Sequence, residues 1–167
     1  MRYWSTTAGP LGDLLLVGEE SGDGFTLTSL SMPGRCEAAA VPAGWRHDAA
    51  PFTDVTRQLA AYFAGALTRF DYRPTPVGTA FQRRVWQALE EIPYGTSTTY
   101  GRIAERVGVD RQGVQAVGAA IGANPLLLVR PCHRVIGADG SMRGYAGGIE
   151  RKVHLLTHEG VLQPMLL

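Results

Sequence analysis

The chain has 167 residues, 45% of them hydrophobic and 19% charged, with a formal net charge of +1. That make-up fits a folded globular protein of one ordinary domain or two small ones, and it excludes disorder and low complexity. No basic segment followed by an apolar stretch opens the chain, and nothing approaches the roughly 18 consecutive apolar residues of a spanning helix. With two cysteines in different settings, a reducing cytoplasm or nucleus is the expected compartment, the cytoplasm first. The charge is uneven: residues 1–75 hold six Arg against eight acids, and residues 76–167 hold nine Arg and one Lys against seven. This mild basic bias permits a DNA partner without indicating one.

In chain order, Arg2–Thr7, Asp13–Gly18 and Phe25–Met32 read as a β-meander, broken at Ala8-Gly9-Pro10 and at Glu20–Gly24. Residues 33–50, rich in Pro, Gly and Ala, read as a loop. Phe52, Val55, Leu59 and Tyr62-Phe63 recur at helical spacing over Phe52–Ala64, with Gly65 as the stop. Arg69–Pro76 reads as a short strand and linker, so the domain boundary falls there: 1–75 and 76–167. Thr79 caps an expected helix Ala80–Glu91 with Phe81, Val85, Trp86 and Leu89 on one face. Tyr100–Val107 follows Thr98-Thr99. A turn at Gly108–Asp110 then leads to a third helix ending near Ala123, and this pair suggests helix-turn-helix. The third helix is unusually small-sided at Gly113, Ala116, Gly118, Ala119, Ala120 and Gly122. Each glycine costs about 1 kcal/mol against alanine inside a helix. Tight packing against a neighbouring helix, or close approach to a nucleic-acid backbone, would offset that cost. Ile149–Glu159 reads as a final amphipathic helix.

Between them stands Pro131-Cys132-His133-Arg134-Val135, after the apolar run Leu126–Val129. A cysteine beside a histidine, with too few cysteines for a disulfide framework, reads as a reactive thiol in a pocket wall. The thiolate is the nucleophile, and neighbouring groups control its formation. Gly144-Tyr145-Ala146-Gly147-Gly148 lacks both the Walker lysine and the dinucleotide fingerprint. It reads as a pocket wall, and no cofactor is expected. Cys36 and His47 are too few for a tetrahedral zinc site, so no metal is expected either.

Phe81-Gln82-Arg83-Arg84-Val85-Trp86, Ile92-Pro93-Tyr94-Gly95, Thr99-Tyr100-Gly101, Ala116-Val117-Gly118, Asn124-Pro125, the Cys132 motif, Gly144–Gly148 and His158-Glu159-Gly160 fall in one order. This order closely resembles the O6-alkylguanine-DNA alkyltransferases, almost continuously over residues 78–160 and more loosely over 1–75. The resemblance implies an N-terminal ribonuclease-H-like α/β domain joined to a mainly α winged-helix, helix-turn-helix domain. It also implies a stoichiometric repair reaction. A base carrying an alkyl group at O6 of guanine, or O4 of thymine, is flipped from the minor groove of double-stranded DNA. The alkyl group then passes irreversibly to Cys132 of a protein acting as a monomer.

By the same resemblance, His133 takes the thiol proton through a water and Glu159 polarises His133. Tyr100 hydrogen-bonds the departing base, and Asn124 braces the cysteine loop. Tyr145, with Pro131, Val135, Ala146 and Gly147, lines the pocket. Lys152, the only lysine in the chain, ties the last helix to that loop. Arg134 pairs within the domain. Gly113, Ala116 and Ala119 let the helix sit deep in the groove, while Thr98, Thr99 and Arg111 meet phosphate.

Two positions depart from the family. Gln115 stands where an arginine usually fills the gap left by the flipped base, and glutamine brings no charge and no delocalised planar cation. Arg130 stands at a strand position that is usually apolar; it is expected to face solvent or pair with an acid such as Glu150, the lesser reading being a guanidinium near Cys132 that depresses the thiol pKa. A lesion-binding module without chemistry, a helix-turn-helix regulator and a cysteine hydrolase are the competing readings. Cys132, His133 and Glu159 together argue against the first, the lack of a separate sensor or an extended basic recognition helix against the second, and the helix pair without any other hydrolase motif against the third.

Overall fold

The computed structural model describes residues 1–32, 41–73 and 77–163. The chain divides into two compact units, Met1–Thr75 and Pro76–Leu167. In the first unit, strands β1 (Arg2–Thr7), β2 (Leu14–Ser21) and β3 (Gly24–Ser31) form the antiparallel meander. Tyr3 and Ser5 on β1, Leu14 and Leu16 on β2, and Leu27 and Leu30 on β3 are buried, each pair following the strand alternation except where a bulge interrupts β2–β3 at Val17/Gly18. A side chain on Gly18 would run into the Phe25 ring, so this glycine answers a close approach. Phe25 in turn meets Phe52 edge-on at 5.1 Å, which joins the sheet to helix α1 (Thr53–Phe63) through Leu59 and Tyr62.

Two expectations for this unit are corrected. The loop over 33–50 contains a fourth strand, β4 (Arg46–His47), parallel to β1 at the sheet edge, giving the order β3-β2-β1-β4. A two-residue strand has no alternation to read. His47 stacks on Trp4 at 4.0 Å. Residues 69–73 of the expected strand Arg69–Pro76 form none, because a side chain replaces the ladder. The buried Gln58 amide donates to the Asp71 carbonyl and accepts from the Asp71 N–H, both at 2.7 Å. Residues 33–40, with Cys36, and 74–76 lie outside the described residues.

The second unit contains helices α2 (Ala80–Glu90), α3 (Tyr100–Val107), α4 (Val114–Gly122) and α5 (Ile149–His158). α2 opens on a full capping box, in which Thr79 accepts from Gln82 N–H and Gln82 accepts from Thr79 N–H. Thr99 caps α3, and Gly108 ends it in the left-handed region at φ 81°. Asp110 then caps a 3-10 turn, Arg111–Gly113, that feeds α4.

Val85, Trp86 and Leu89 of α2 share the core with Ile103, Ala104, Val117, Ala120 and Ile121. Trp86 also donates its indole N–H to the Ala120 carbonyl at 2.8 Å. Burying the larger aliphatic side chains among these, Val85, Leu89, Ile103, Val117 and Ile121, contributes about 1.5–3 kcal/mol each, which fixes the three helices as one block. Two short strands, β5 (Thr98–Thr99) and β6 (Val135–Ile136), pair in parallel. Through them the start of α3 is stitched to the segment that carries Cys132.

Candidate active site

Leu126, Leu127, Leu128 and Val129 are buried as the apolar run demands, but they form a tight turn and no strand. Leu128 is held at φ 70°, a left-handed conformation costly for leucine. Asn124 over-determines this turn. Its Oδ1 accepts from Leu126 N–H at 3.0 Å, and its Nδ2 donates to the carbonyls of Leu126 and Arg130 at 3.3 and 3.2 Å. The turn delivers Cys132 and His133 on a short 3-10 helix, Cys132–Arg134, with Cys132 4% and His133 0% exposed.

Around the sulfur the structure assembles groups far apart in sequence. His133 Nε2 lies 2.7 Å from Glu159 Oε2, and Arg134 donates to both oxygens of the same carboxylate at 2.7 and 3.1 Å. Arg134 also donates to the Ile92 carbonyl at 2.6 Å and lies against Tyr94. An ionised carboxylate only accepts, so Nε2 carries the imidazole proton and Nδ1 is left as a lone pair. That Nδ1 is buried with no hydrogen-bond partner, as is Tyr145 Oη beside it. The His133 and Tyr145 rings meet edge-on at 6.5 Å.

Lys152 is fully buried on α5, and its ammonium donates to the carbonyls of Val135, Met142 and Gly144 at 2.6, 2.6 and 3.1 Å. It thereby pins the loop holding Arg143, a second non-glycine residue at positive φ, 63°.

The electrostatics follow from burial. The Cys132 thiol is pushed up to about 11 by desolvation, opposed by the Asn124 amide and by the Lys152 and Arg130 charges. Burial holds His133 below its ordinary value against the opposing pull of Glu159, so the imidazole is neutral at neutral pH. Burial pulls Lys152 down to about 8. Burial and the Cys132 charge both raise Tyr100, keeping its phenol a donor. The site is therefore a protonated thiol beside a neutral base with a free lone pair, an arrangement suited to making the thiolate only as it is used.

Of the expected pocket residues, Pro131, Val135 and Gly147 are buried, Tyr145 is half-buried and Ala146 is exposed. On the helix-turn-helix, Gln115, Ala116, Ala119 and Arg111 are exposed. Gly113 has a nearer reason for being small, since a Cβ there would stand 2.7 Å from Val109 Cβ in the turn. Thr98 and Thr99 are half-buried in the β5–β6 pair, and Thr99 Oγ1 is spent on capping α3.

Arg130 pairs with an acid as expected, but with Glu90 of α2 instead of Glu150, and it does not face solvent. It is 4% exposed, pairs with Glu90 at 3.3 Å and lies over the Trp86 ring. Among the described residues, no group of three or more His, Cys, Asp and Glu is placed to hold a metal ion, and no helix is long and apolar enough to cross a membrane.

The comparisons agree over nearly the whole chain. The ribonuclease-like domain of 6-O-methylguanine DNA methyltransferase matches residues 2–77, and the DNA-binding domain of the same family matches 80–161. A methylated-DNA–protein-cysteine methyltransferase of Methanosarcina acetivorans is 43% identical over 158 residues, covering 95% of this chain and 98% of its own. The crystal structure of the Mycobacterium tuberculosis O6-methylguanine methyltransferase superposes with a TM-score of 0.85 at 44% identity, over 98% of this chain and 96% of that one. Another M. tuberculosis structure, of OGT in complex with DNA, gives 0.84 at 44% identity, over 95% and 92% of the two chains. A ribonuclease-like domain followed by a DNA-binding domain, with identity at this level over nearly the full length, places the chain in the methylated-DNA–protein-cysteine methyltransferase family.

Proposed function

We propose that the protein repairs DNA by moving the O6-alkyl group of alkylguanine, chiefly methyl, and the O4-alkyl group of thymine, irreversibly onto Cys132. The observation that carries this reading is the buried series Cys132, His133, Glu159, ending on one side in a bonded carboxylate and on the other in an unpartnered Nδ1. His133 Nδ1 takes the thiol proton through a water, and Glu159 with Arg134 stabilises the imidazolium that results. The thiolate attacks the alkyl carbon in line, so a C–S bond forms as the C–O bond breaks. The bonding pair passes to the base, whose negative charge the Tyr100 phenol meets by donating a hydrogen bond or its proton. No water attacks afterwards, so each protein acts once.

The base reaches the sulfur by flipping, which costs a few kcal/mol and less for a weakened alkylated pair. The exposed small-sided face of α4, with Gln115 at its start, faces the minor groove. Arg111, Thr98 and backbone amides meet phosphate. Tyr145, Val135, Pro131 and Gly147 enclose the alkyl group. The protein acts as a monomer, in the cytoplasm, where thiols stay reduced.

Exposure to a duplex carrying O6-methylguanine tests the whole reading by intact mass. The expected result is a gain of ~14 Da confined to the peptide containing Cys132, and none in Cys132→Ser. Methyl on another residue, or undiminished removal by the serine variant, overturns it.

A further inference from the structure

Arg130 has no part in the transfer as described, yet it is buried two residues before Cys132. Its Nε donates to Glu90 of α2 at 3.3 Å, its Nη1 donates to Asn124 Oδ1 at 3.3 Å, and its guanidinium lies 5.0 Å from the centre of the Trp86 ring. Burying a cation costs several kcal/mol, and exchanging a buried ion pair for well-packed apolar side chains is often neutral or stabilising. Stability alone therefore does not account for an arginine here.

Asn124 supplies the reason. A side-chain amide turned end for end keeps nearly the same shape, so only its partners decide which edge faces where. Oδ1 accepts from both Leu126 N–H and Arg130 Nη1, while the flipped amide would set an NH₂ group against a guanidinium. Nδ2 donates at the other edge to the carbonyls of Leu126 and Arg130 at 3.3 and 3.2 Å, so Arg130 holds both ends of the amide that braces the cysteine turn, and an N–H edge near the sulfur favours the thiolate. The Arg130 carbonyl also accepts from Cys132 N–H at 2.8 Å, so side chain and backbone of one residue bracket the cysteine.

We propose that Arg130 is a positioning residue for the alkyl transfer: it clamps the Asn124 amide that braces the Cys132 turn and brings a permanent positive charge near the sulfur as the thiolate forms. The proposal rests on the transfer reading above. The other titratable or charged groups around the sulfur are Lys152 from α5, Tyr100 from α3, and His133, Tyr145 and Glu159. Lys152 sheds its proton near 8, whereas a guanidinium stays charged throughout.

The test follows alkylation of Cys132 by iodoacetamide, without DNA, from about pH 6 to about pH 11. It is read by mass on the Cys132 peptide, beside methyl transfer from an O6-methylguanine duplex. In Arg130→Leu the iodoacetamide profile is expected to move to higher pH, making both reactions about threefold to tenfold slower near neutrality. Arg130→Lys keeps the charge without the fork, so it restores much of the iodoacetamide profile while transfer stays slow. Glu90→Gln loosens the tie to α2 but keeps the Arg130–Asn124 bond, and its profile is expected to stay or move to lower pH.

An unshifted profile in Arg130→Leu, or an equal upward shift in Glu90→Gln, overturns the proposal and leaves Arg130 a tether. Should Arg130→Leu not fold by circular dichroism, Arg130→Lys decides, and transfer at the native rate in that variant overturns the proposal. A wild-type protein that takes up no methyl sinks the transfer reading instead, and the iodoacetamide comparison still stands.

Discussion

Replacing Glu159 by glutamine separates what the buried carboxylate does for folding from what it does for chemistry. The substitution keeps the shape and removes the charge that receives His133 and both Arg134 bonds. Arg134, 6% exposed, is then a buried cation left with the Ile92 carbonyl and a neutral amide. Breaking a buried pair in this way costs about 3 kcal/mol. At roughly 2–4 °C per kcal/mol for a chain of this size, Tm should fall by roughly 6–12 °C. The amide oxygen stays with Arg134, so its NH₂ faces His133 Nε2 and forces the imidazole proton onto Nδ1. The base is lost, and single-turnover methyl transfer well below the new Tm should slow by about a hundredfold or more. Quenched-flow uptake of methyl from a modified duplex, alongside a binding isotherm, measures this. A variant with lowered Tm, intact binding and the native transfer rate would refute the reasoning and make the Glu159 cluster purely architectural.

Three further outcomes follow from the same geometry. Burial holds His133 below its unfolded value near 6.5, so the unfolded chain binds the extra proton. The stability this group contributes is complete above about 6.5 and is lost as pH falls below it, which urea midpoints at pH 8 and pH 5 will report. Lys152→Met leaves three carbonyls without their donor. At about 1 kcal/mol each, this should lower stability by about 3 kcal/mol and speed amide exchange over residues 135–144, and an unchanged exchange pattern would contradict the pinning. Gln115→Arg should raise duplex affinity and steepen its salt dependence, and Gln115→Ala should slow transfer a few-fold. Equal repair rates in all three forms would remove Gln115 from the mechanism.

Local signals made much of the fold legible. Thr79 with Gln82, Thr99 before Tyr100 and Gly108 after Val107 are caps whose chemistry acts within four residues, so α2 and α3 could be bounded from the chain alone. β4 and the β5–β6 pair were not legible, because two residues carry no period. The segment 69–73 misled because its strand-like composition is satisfied by the Gln58 side chain. At the site, the motifs pointed to Cys132, His133 and Glu159, and the fold brings the last two within hydrogen-bonding distance across 26 positions. The partner of Arg130 escaped because Glu90 is 40 positions away on another helix. The nearest textual clue was an arginine at a position usually apolar, and a clue of that kind names no partner.

The buried ammonium of Lys152 has a practical corollary. It is the only lysine in the sequence and it is 0% exposed, so the folded molecule offers solvent no side-chain primary amine. Acylating or reductive-methylating reagents will find an ε-nitrogen only when the last helix lifts away from the Val135, Met142 and Gly144 carbonyls that hold it. The yield of modified Lys152 thus becomes a clock for that opening, readable without any engineered label.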